Sequence, residues 1–421
     1  MAESSNHSRR NFLAAATAGG VAAVAATARA ASLASPDHPP QDSATAQENA
    51  ASAADHGPHD PVLANQFPGA FSPPETDIGA LPQFWASFNN AERRIHRGGW
   101  ARQVTQYDFQ ISEEIAGVNM RLTRGGIREL HWHQAAEWAY VTYGSCRVTT
   151  IDQYGQANVE DVHQGGLWYF PAGLPHSLQG IGEDGCEFII AFDDGKASEF
   201  NTLLLTDWIA HTAPGDLAMN FGVPAETFAN IPRHDLYIFQ GEMPGPLAAT
   251  AKQAEGSAGP EPIRSTFALG EVPPIRQTRG GFVRIADSHN FKASKTIAAA
   301  VVTIHPGGMR EMHWHPNADE WLYFIAGQGE LTVFNTGPNV ASQDFHPGDI
   351  GYVKRNFGHY IRNTGNADLM YLEVFRSSYF ADVSLSDWLT HTPAALVAQH
   401  LNVDPAAIAE WPDNKPLVMP V

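Results

Sequence analysis

Residues 128 to 137 read Arg-Glu-Leu-His-Trp-His-Gln-Ala-Ala-Glu, and residues 310 to 320 read Arg-Glu-Met-His-Trp-His-Pro-Asn-Ala-Asp-Glu. Side chains alternate faces along an extended strand, so two imidazoles separated by one residue point the same way. His131 with His133, and His313 with His315, are each half of a metal site. Glu137 follows after a gap of three residues and Glu320 after a gap of four. A turn therefore intervenes, and each carboxylate opens the next strand. His176, in Phe-Pro-Ala-Gly-Leu-Pro-His, and His359, in Val-Lys-Arg-Asn-Phe-Gly-His, each follow an apolar, aromatic-rich run with a Gly-containing turn, and they complete the two sets. Three imidazoles and one carboxylate suit a divalent first-row metal, and an octahedral ion would keep two positions open for chemistry. The same four ligands could also close a structural zinc tetrahedron, and nothing in the spacing fixes the metal.

The elements that carry these ligands read as short strands. Runs rich in Val, Ile, Tyr and Phe, such as Trp138 to Tyr143, Gly166 to Pro171 and Leu331 to Phe334, alternate with Gly, Pro, Asp and Asn turns. The two halves run in parallel at a register near 182 residues: Gly98-Gly99-Trp100 with Gly280-Gly281-Phe282, Phe109 with Phe291, Asp207-Trp208 with Asp387-Trp388. This is the duplication of a whole domain. The fold class is all-β, with two tandem jelly-roll domains, each ending in a short helical tail, 207–213 and 385–401. The domains are expected over 61–240 and 263–412, joined by a Pro/Gly/Ala-rich linker at 241–262 and followed by a tail at 413–421.

The chain has 421 residues and a formal charge of −19, from 26 basic against 45 acidic side chains. That excess disfavours nucleic acid and anionic membrane as partners, and an anionic substrate must be attracted locally. Ser8-Arg9-Arg10-Asn11-Phe12-Leu13, a weakly apolar run to Ala28 and the small residues Ala28-Arg29-Ala30 resemble a twin-arginine export signal over residues 1–30. The run is too short and too weakly hydrophobic for a membrane anchor. Residues 31–60, rich in Ala, Ser, Pro, His and Gln without a period, read as a disordered linker. The expected location is periplasmic or secreted after export in the folded state, a route that lets the metal be chosen before zinc and copper compete for it. Cys146 and Cys186 lie on strands of the first repeat, and folding before export favours reduced thiols.

The two consecutive His-x-His-x(3,4)-Glu motifs, followed by Gly-x-x-His at 173–176 and by Gly358-His359 in the second copy, in two consecutive β-domains, resemble the cupin superfamily. The paired Arg-Glu-(Leu/Met)-His-Trp-His motifs and Thr-Asp-Trp-Ile-Ala-His-Thr at 206–212 are similar to the bicupin oxalate decarboxylases, over nearly everything from Phe67 to Pro412. The resemblance implies two manganese ions per chain, one held by His131, His133, Glu137 and His176, the other by His313, His315, Glu320 and His359. It further implies oxalate as substrate, polarised by Arg128 and Arg310, dioxygen as co-catalyst, and a homo-oligomer, trimer or hexamer. The stretch 195–203 is the longer of two corresponding loops, since the run after Phe192 exceeds that after Phe375 by three residues. By resemblance Ser198-Glu199-Phe200-Asn201-Thr202 is a mobile lid whose Glu199 moves protons, although Phe200 and Asn201 stand where a small polar pair is expected. Glu373 matches an acid near the second metal, and the second centre is expected to be structural or auxiliary.

The activity so implied is loss of a proton and an electron from oxalate, departure of carbon dioxide, and return of both to give formate, with Glu199 as base and then acid. An oxalate oxidase would share the ligands and yield hydrogen peroxide for want of that proton donor. A metal-dependent cupin dioxygenase fits poorly with paired arginines suited to a small dianion, and a non-enzymatic binding cupin has no reason to keep both ligand sets.

Overall fold

The structure is a computed structural model and describes residues 57–414 and 416–420. The export signal and nearly all of the 31–60 stretch lie outside these residues. Asp60 lies inside them and is ordered. Its carboxylate accepts from the Val62 and Leu63 amides and caps the helix Pro61–Gln66, so the disordered reading does not extend to residue 60.

Each half folds as two facing antiparallel sheets. In the first half, one sheet runs Gly99–Val104, Ala116–Leu122, Cys186–Phe192, Glu137–Ile151, Leu167–Phe170. The facing sheet runs Gly126–Trp132, His176–Gly180, then the distal part of Glu137–Ile151, then Ala157–His163. The long strand belongs to both sheets because it bends at Gly144, whose φ of 71° and whose position 2.1 Å (ideal Cβ) from the Gly185 carbonyl admit no side chain. In the second half the same strand is broken in two, Glu320–Ala326 and Gly329–Asn335, around Gly327.

Burial follows the pleat. Along Cys186–Phe192, Phe188, Ile190 and Phe192 fill the first sandwich, whereas Ile189 and Ala191 face the other half of the molecule. Both faces are apolar because both are covered. The second sandwich has its own core around Val302, Leu322, Phe324, Phe345 and Tyr371, and a third core between the halves joins Trp138, Tyr140 and Tyr169 to Trp321, Tyr323 and Tyr352.

The halves also exchange strands. Trp85–Ser87, ahead of the first sandwich in sequence, pairs with Asp349–Val353 of the second, and Thr266–Phe267, after the linker, pairs with Leu167–Phe170 of the first. Within the 241–262 linker, Leu247–Glu255 is a helix, an element that the Pro and Gly content conceals although Leu-Ala-Ala-Thr-Ala favours one. The helical tails are Leu205–Ala210 with Pro214–Phe221, and Leu385–Thr390, Ala394–Leu401 and Pro405–Ile408, so both run further than their sequence pattern predicts. Cys146 and Cys186 are free thiols buried in the first core. Among the described residues no helix is long and apolar enough to cross a membrane.

Candidate active site and metal centres

His131 sits opposite His176 on the neighbouring strand, and His313 opposite His359. Glu137 and Glu320 are the first residues of their strands, as the turn after the His pair requires. All eight side chains are buried. In the first set the candidate ligand atoms of His131, His133, Glu137 and His176 lie within 4.8 Å of one another. The second set forms two overlapping triads, His313 with His315 and His359, and His315 with Glu320 and Glu373.

The rings are oriented for ligation. The Nδ1 atoms of His131, His176, His313, His315 and His359 lie 2.6, 2.8, 2.7, 2.8 and 3.0 Å from backbone carbonyls of Glu129, Leu174, Glu311, Ala381 and Phe357, to which each donates. That fixes the tautomer and turns the bare Nε2 inward. Nε2 of His133, His176, His313, His315 and His359 is buried with no hydrogen-bond partner, as are Oε2 of Glu137 and of Glu320. Burial, and next Arg128 or Arg310, hold His131 and His313 well below the usual imidazole range, and burial holds His315 at about 4. His131, His313 and His315 are therefore neutral at neutral pH, the form that binds metal.

His133 Nε2 and Glu137 Oε2 are 3.1 Å apart, His176 Nε2 and Glu137 Oε2 3.4 Å, and His359 Nε2 and Glu320 Oε2 2.8 Å. Neighbouring ligands of an octahedral ion at ~2.1 Å lie about 3 Å apart. With their tautomers set by the carbonyls, His176 and His359 offer lone pairs to those carboxylates and no proton. A cation between them removes the conflict, so the residues fit a divalent ion in both halves.

Arg128 and Arg310 reach these centres through a local irregularity. Arg128 lies three positions before His131, an offset that puts side chains on opposite faces of a regular strand. A register shift between Arg128 and His131, repeated between Arg310 and His313, supplies the extra residue that turns both arginines inward. Arg128 Nε donates to Glu199 Oε1 at 2.6 Å, and its guanidinium lies 4.3 Å over the Tyr237 ring. Glu199 opens a short 3-10 turn, Glu199–Asn201, and is buried with Oε2 at 3.8 Å from His133 Nε2. Outside that turn lies a cavity of about 710 Å³ whose lining includes His133, Phe192, Lys196, Ser198, Asn201 and Thr202.

The sequence matches the cupin family twice, over residues 86–227 and 267–409. It is 48% identical over 338 residues to oxalate decarboxylase OxdC of Bacillus subtilis, covering 80% of this chain and 87% of that protein. It is 37% identical over 415 residues to an oxalate decarboxylase of Arthroderma benhamiae, covering 91% and 95%. A solved structure of the Bacillus subtilis enzyme, studied for its Mn(II) centres, superimposes with a TM-score of 0.85 at 45% identity, covering 87% of this chain and 96% of that one. The chain belongs to the oxalate decarboxylases of the cupin family.

The two arginines of this cupin differ in what they leave free. Arg128 Nη2 is buried without a hydrogen-bond partner, and so is Glu199 Oε2. Each nitrogen of Arg310 has a partner: Nε with Glu373 at 3.4 Å, Nη1 with the Leu417 carbonyl at 3.2 Å, Nη2 with Asp382 at 2.6 Å. Burial, with Glu320 and Asp382 adding to it against Arg310, pushes Glu373 up to about 8. Three acids, Glu311, Glu373 and Asp382, thus share the Arg310 guanidinium.

Several site residues escape a reading by motif. Tyr237 stands at a φ of 51°, with its hydroxyl 3.5 Å from Glu199 Oε1. Glu129 is buried and accepts from Thr206 Oγ1 at 2.9 Å and from the Leu236 and Tyr237 amides at 2.9 and 2.6 Å, which holds Tyr237 in that strained conformation beside Arg128. The signal available was the Arg-Glu pair itself, since an acid on every copy of a buried strand needs donors. Gln103 Oε1 accepts from Ser198 Oγ at 3.1 Å and from the Glu199 amide at 3.0 Å. These bonds fasten the turn over the first centre.

Proposed function

We propose that this chain converts oxalate to formate and carbon dioxide, with manganese in both centres and catalysis at the one formed by His131, His133, Glu137 and His176. The observation that carries the reading is an unpartnered buried donor on Arg128 and an unpartnered carboxylate oxygen on Glu199, two residues joined by a 2.6 Å ion pair, with that oxygen 3.8 Å from His133 Nε2 of the first ligand set. A buried cationic donor without an acceptor is costly, and a small anion removes the cost. Manganese supplies, when bound, a redox-active Lewis acid with coordination positions left for small molecules. Arg128 binds and orients the carboxylate of singly protonated oxalate by charge-assisted hydrogen bonds. Glu199 takes the proton from the other carboxyl end and returns it to carbon as carbon dioxide departs, with dioxygen required and not consumed. The shut turn keeps water out, which strengthens both interactions and retains the one-carbon fragment until it is protonated. Each guanidinium nitrogen of Arg310 already has a partner, unlike Nη2 of Arg128, and this supports a structural or auxiliary role for the second centre.

Product analysis tests this directly. One formate per carbon dioxide, no net dioxygen uptake and two manganese ions per chain are expected; hydrogen peroxide with two carbon dioxide per oxalate identifies an oxidase.

The mature chain is proposed to begin near Ala31 and to leave the cytoplasm folded, on the strength of the Arg9-Arg10 signal. Arg9→Lys with Arg10→Lys should leave active, metal-loaded protein inside the cell, and normal export of that variant sinks the idea. A homo-oligomer, trimer or hexamer, is proposed from the family resemblance, and the apolar groove of about 520 Å³ on the first half, lined by Ile127, Leu130, Ile209, Ile231, Leu236 and Phe239, offers a face for association. Light scattering giving a monomeric mass would remove it.

A further inference from the structure

The loop Thr105 to Ile115, between two strands of the first half, has two sides with different partners. On one side it holds Gly195, at the root of the turn that covers the first centre. The Gln106 amide donates to the Gly195 carbonyl at 2.7 Å, and the Gly195 amide donates to the Glu113 carbonyl at 3.1 Å. The fit is close, since a Cβ on Gly195 would lie 2.1 Å from the Ser112 carbonyl oxygen. On the other side the loop enters the second half. Glu113 binds Lys354 Nζ at 2.7 Å, and Glu114 Oε2 accepts from the Asp319 amide at 3.2 Å. Lys354 also binds the buried carboxylate of Asp319 at 2.7 Å, and Tyr352 donates to the same carboxylate at 2.9 Å. Asp319 immediately precedes the ligand Glu320.

The duplication provides an internal control. The corresponding loop of the second half makes the corresponding clip, Ser288 amide to Ser378 carbonyl at 2.8 Å, and meets the first half through Thr296 and Tyr169 at 3.0 Å. Its ionic part is missing, because Ala136 stands where the other half has Asp319 and Pro171 where it has Lys354. The charged support therefore runs in one direction, from the lid root of the first centre to the carboxylate ligand of the second.

We infer that the Thr105–Ile115 loop is a mechanical coupler: Glu113 and Glu114 are positioning residues for Glu320, and through Gly195 they tie the closed state of the turn over the first centre to metal occupancy of the second. A gain in one must appear in the other, because coupling between two sites is reciprocal. The inference rests on the reading that His313, His315, Glu320 and His359 hold a metal, which the metal content of the unaltered chain decides separately.

The test uses the full chain and the variant Glu114→Ala/Lys354→Met. Manganese release from the second centre should quicken by about fivefold or more with a changed electron paramagnetic resonance signal for that centre, while release from the first stays as it was. Amide hydrogen exchange over residues 196–203 should quicken as well. With Glu114 and Lys354 intact, emptying the second centre by His359→Ala should raise exchange over the same residues; in the double variant that effect should be gone, and Lys354→Arg with Glu114 intact should retain most of it. Unchanged release and spectrum overturn the positioning role, and equal exchange with and without the second metal overturns the coupling. Should the double variant fail to melt cooperatively, Lys354→Met alone, at a partly exposed side chain outside both ligand sets, carries the same test.

Discussion

Arg128 and Glu199 form an ion pair of 2.6 Å that is sealed from solvent on both sides. One partner is fixed on a strand and the other rides on a turn, so the pair exists only while the turn is shut. An isolated buried charge costs several kcal/mol, so Arg128 in the closed state needs either Glu199 or an anionic substrate at its fork, and Nη2 is without a partner while Nε keeps Glu199.

Glu199→Ala should keep both manganese ions, lower formate production by ~100- to 10,000-fold, and raise the ratio of hydrogen peroxide to formate. Formate and peroxide assays on the same sample check it. Formate within about threefold of the parent removes Glu199 from the proton steps, and Glu373→Ala then shows whether the acid belongs to the second centre.

Arg128→Lys should lower kcat/KM by roughly tenfold to hundredfold with little change in metal content, since lysine keeps the charge and loses the second parallel donor. Arg310→Lys should act mainly on stability, because it disturbs the pairing of Glu373 and Asp382. Steady-state kinetics and thermal melts on the two variants separate these outcomes. A larger kinetic effect from Arg310→Lys would transfer catalysis to the second centre.

Phe200 stands where a small polar residue was expected, and the structure places its ring edge-on to Tyr237 at 6.2 Å and 5.8 Å from the Arg94 guanidinium. Such contacts contribute ~0.5–1.5 kcal/mol, so Phe200→Ser should open the turn roughly twofold to tenfold more often. The expected readout is faster amide exchange over 196–203 and a higher peroxide fraction at constant metal content. Unaltered exchange would show that Gln103 and Arg128 alone hold the turn.

The metal-free chain should be most stable near pH 6.5. Between about 4 and 6.5 the unfolded chain protonates His131, His313 and His315 while the folded chain resists, so stability rises with pH across that window. Within the two centres Glu373, raised to about 8, works the other way from 4.5 upward, one group against three histidines, and leaves a shallow decline from 6.5 to 8. Urea unfolding of chelator-treated protein at several pH values measures the curve, and a stability that falls steadily from pH ~5 contradicts it.

Both ligand sets were legible because their geometry is local: alternation places His131 beside His133, and only one turn separates them from Glu137. His176 and His359 needed the duplication, which marks equivalent positions without any contact information. The inward turn of Arg128 and Arg310 was readable as a repeated offset, although its cause, a strand irregularity, has no motif. Gln103, Tyr237 and the Asp319–Lys354 cluster were not legible, since each acts across more than thirty residues or between halves. The linker helix at Leu247–Glu255 was hidden by averaging its alanines with flanking Pro and Gly.

The exchange of Trp85–Ser87 and Thr266–Phe267 between the halves governs how the chain can be made. On a ribosome the first sandwich lacks an edge strand until Phe267 has emerged, and Trp85–Ser87 waits for Val353 before it has anything to pair with. Neither duplicated unit can be excised as an independent piece, because each cut leaves one sheet with bare amides and removes half of the aromatic layer around Trp138 and Trp321. Pairings this distant in sequence are slow to form, so the nascent first half should spend its time as a client of chaperones until the missing edge strand arrives.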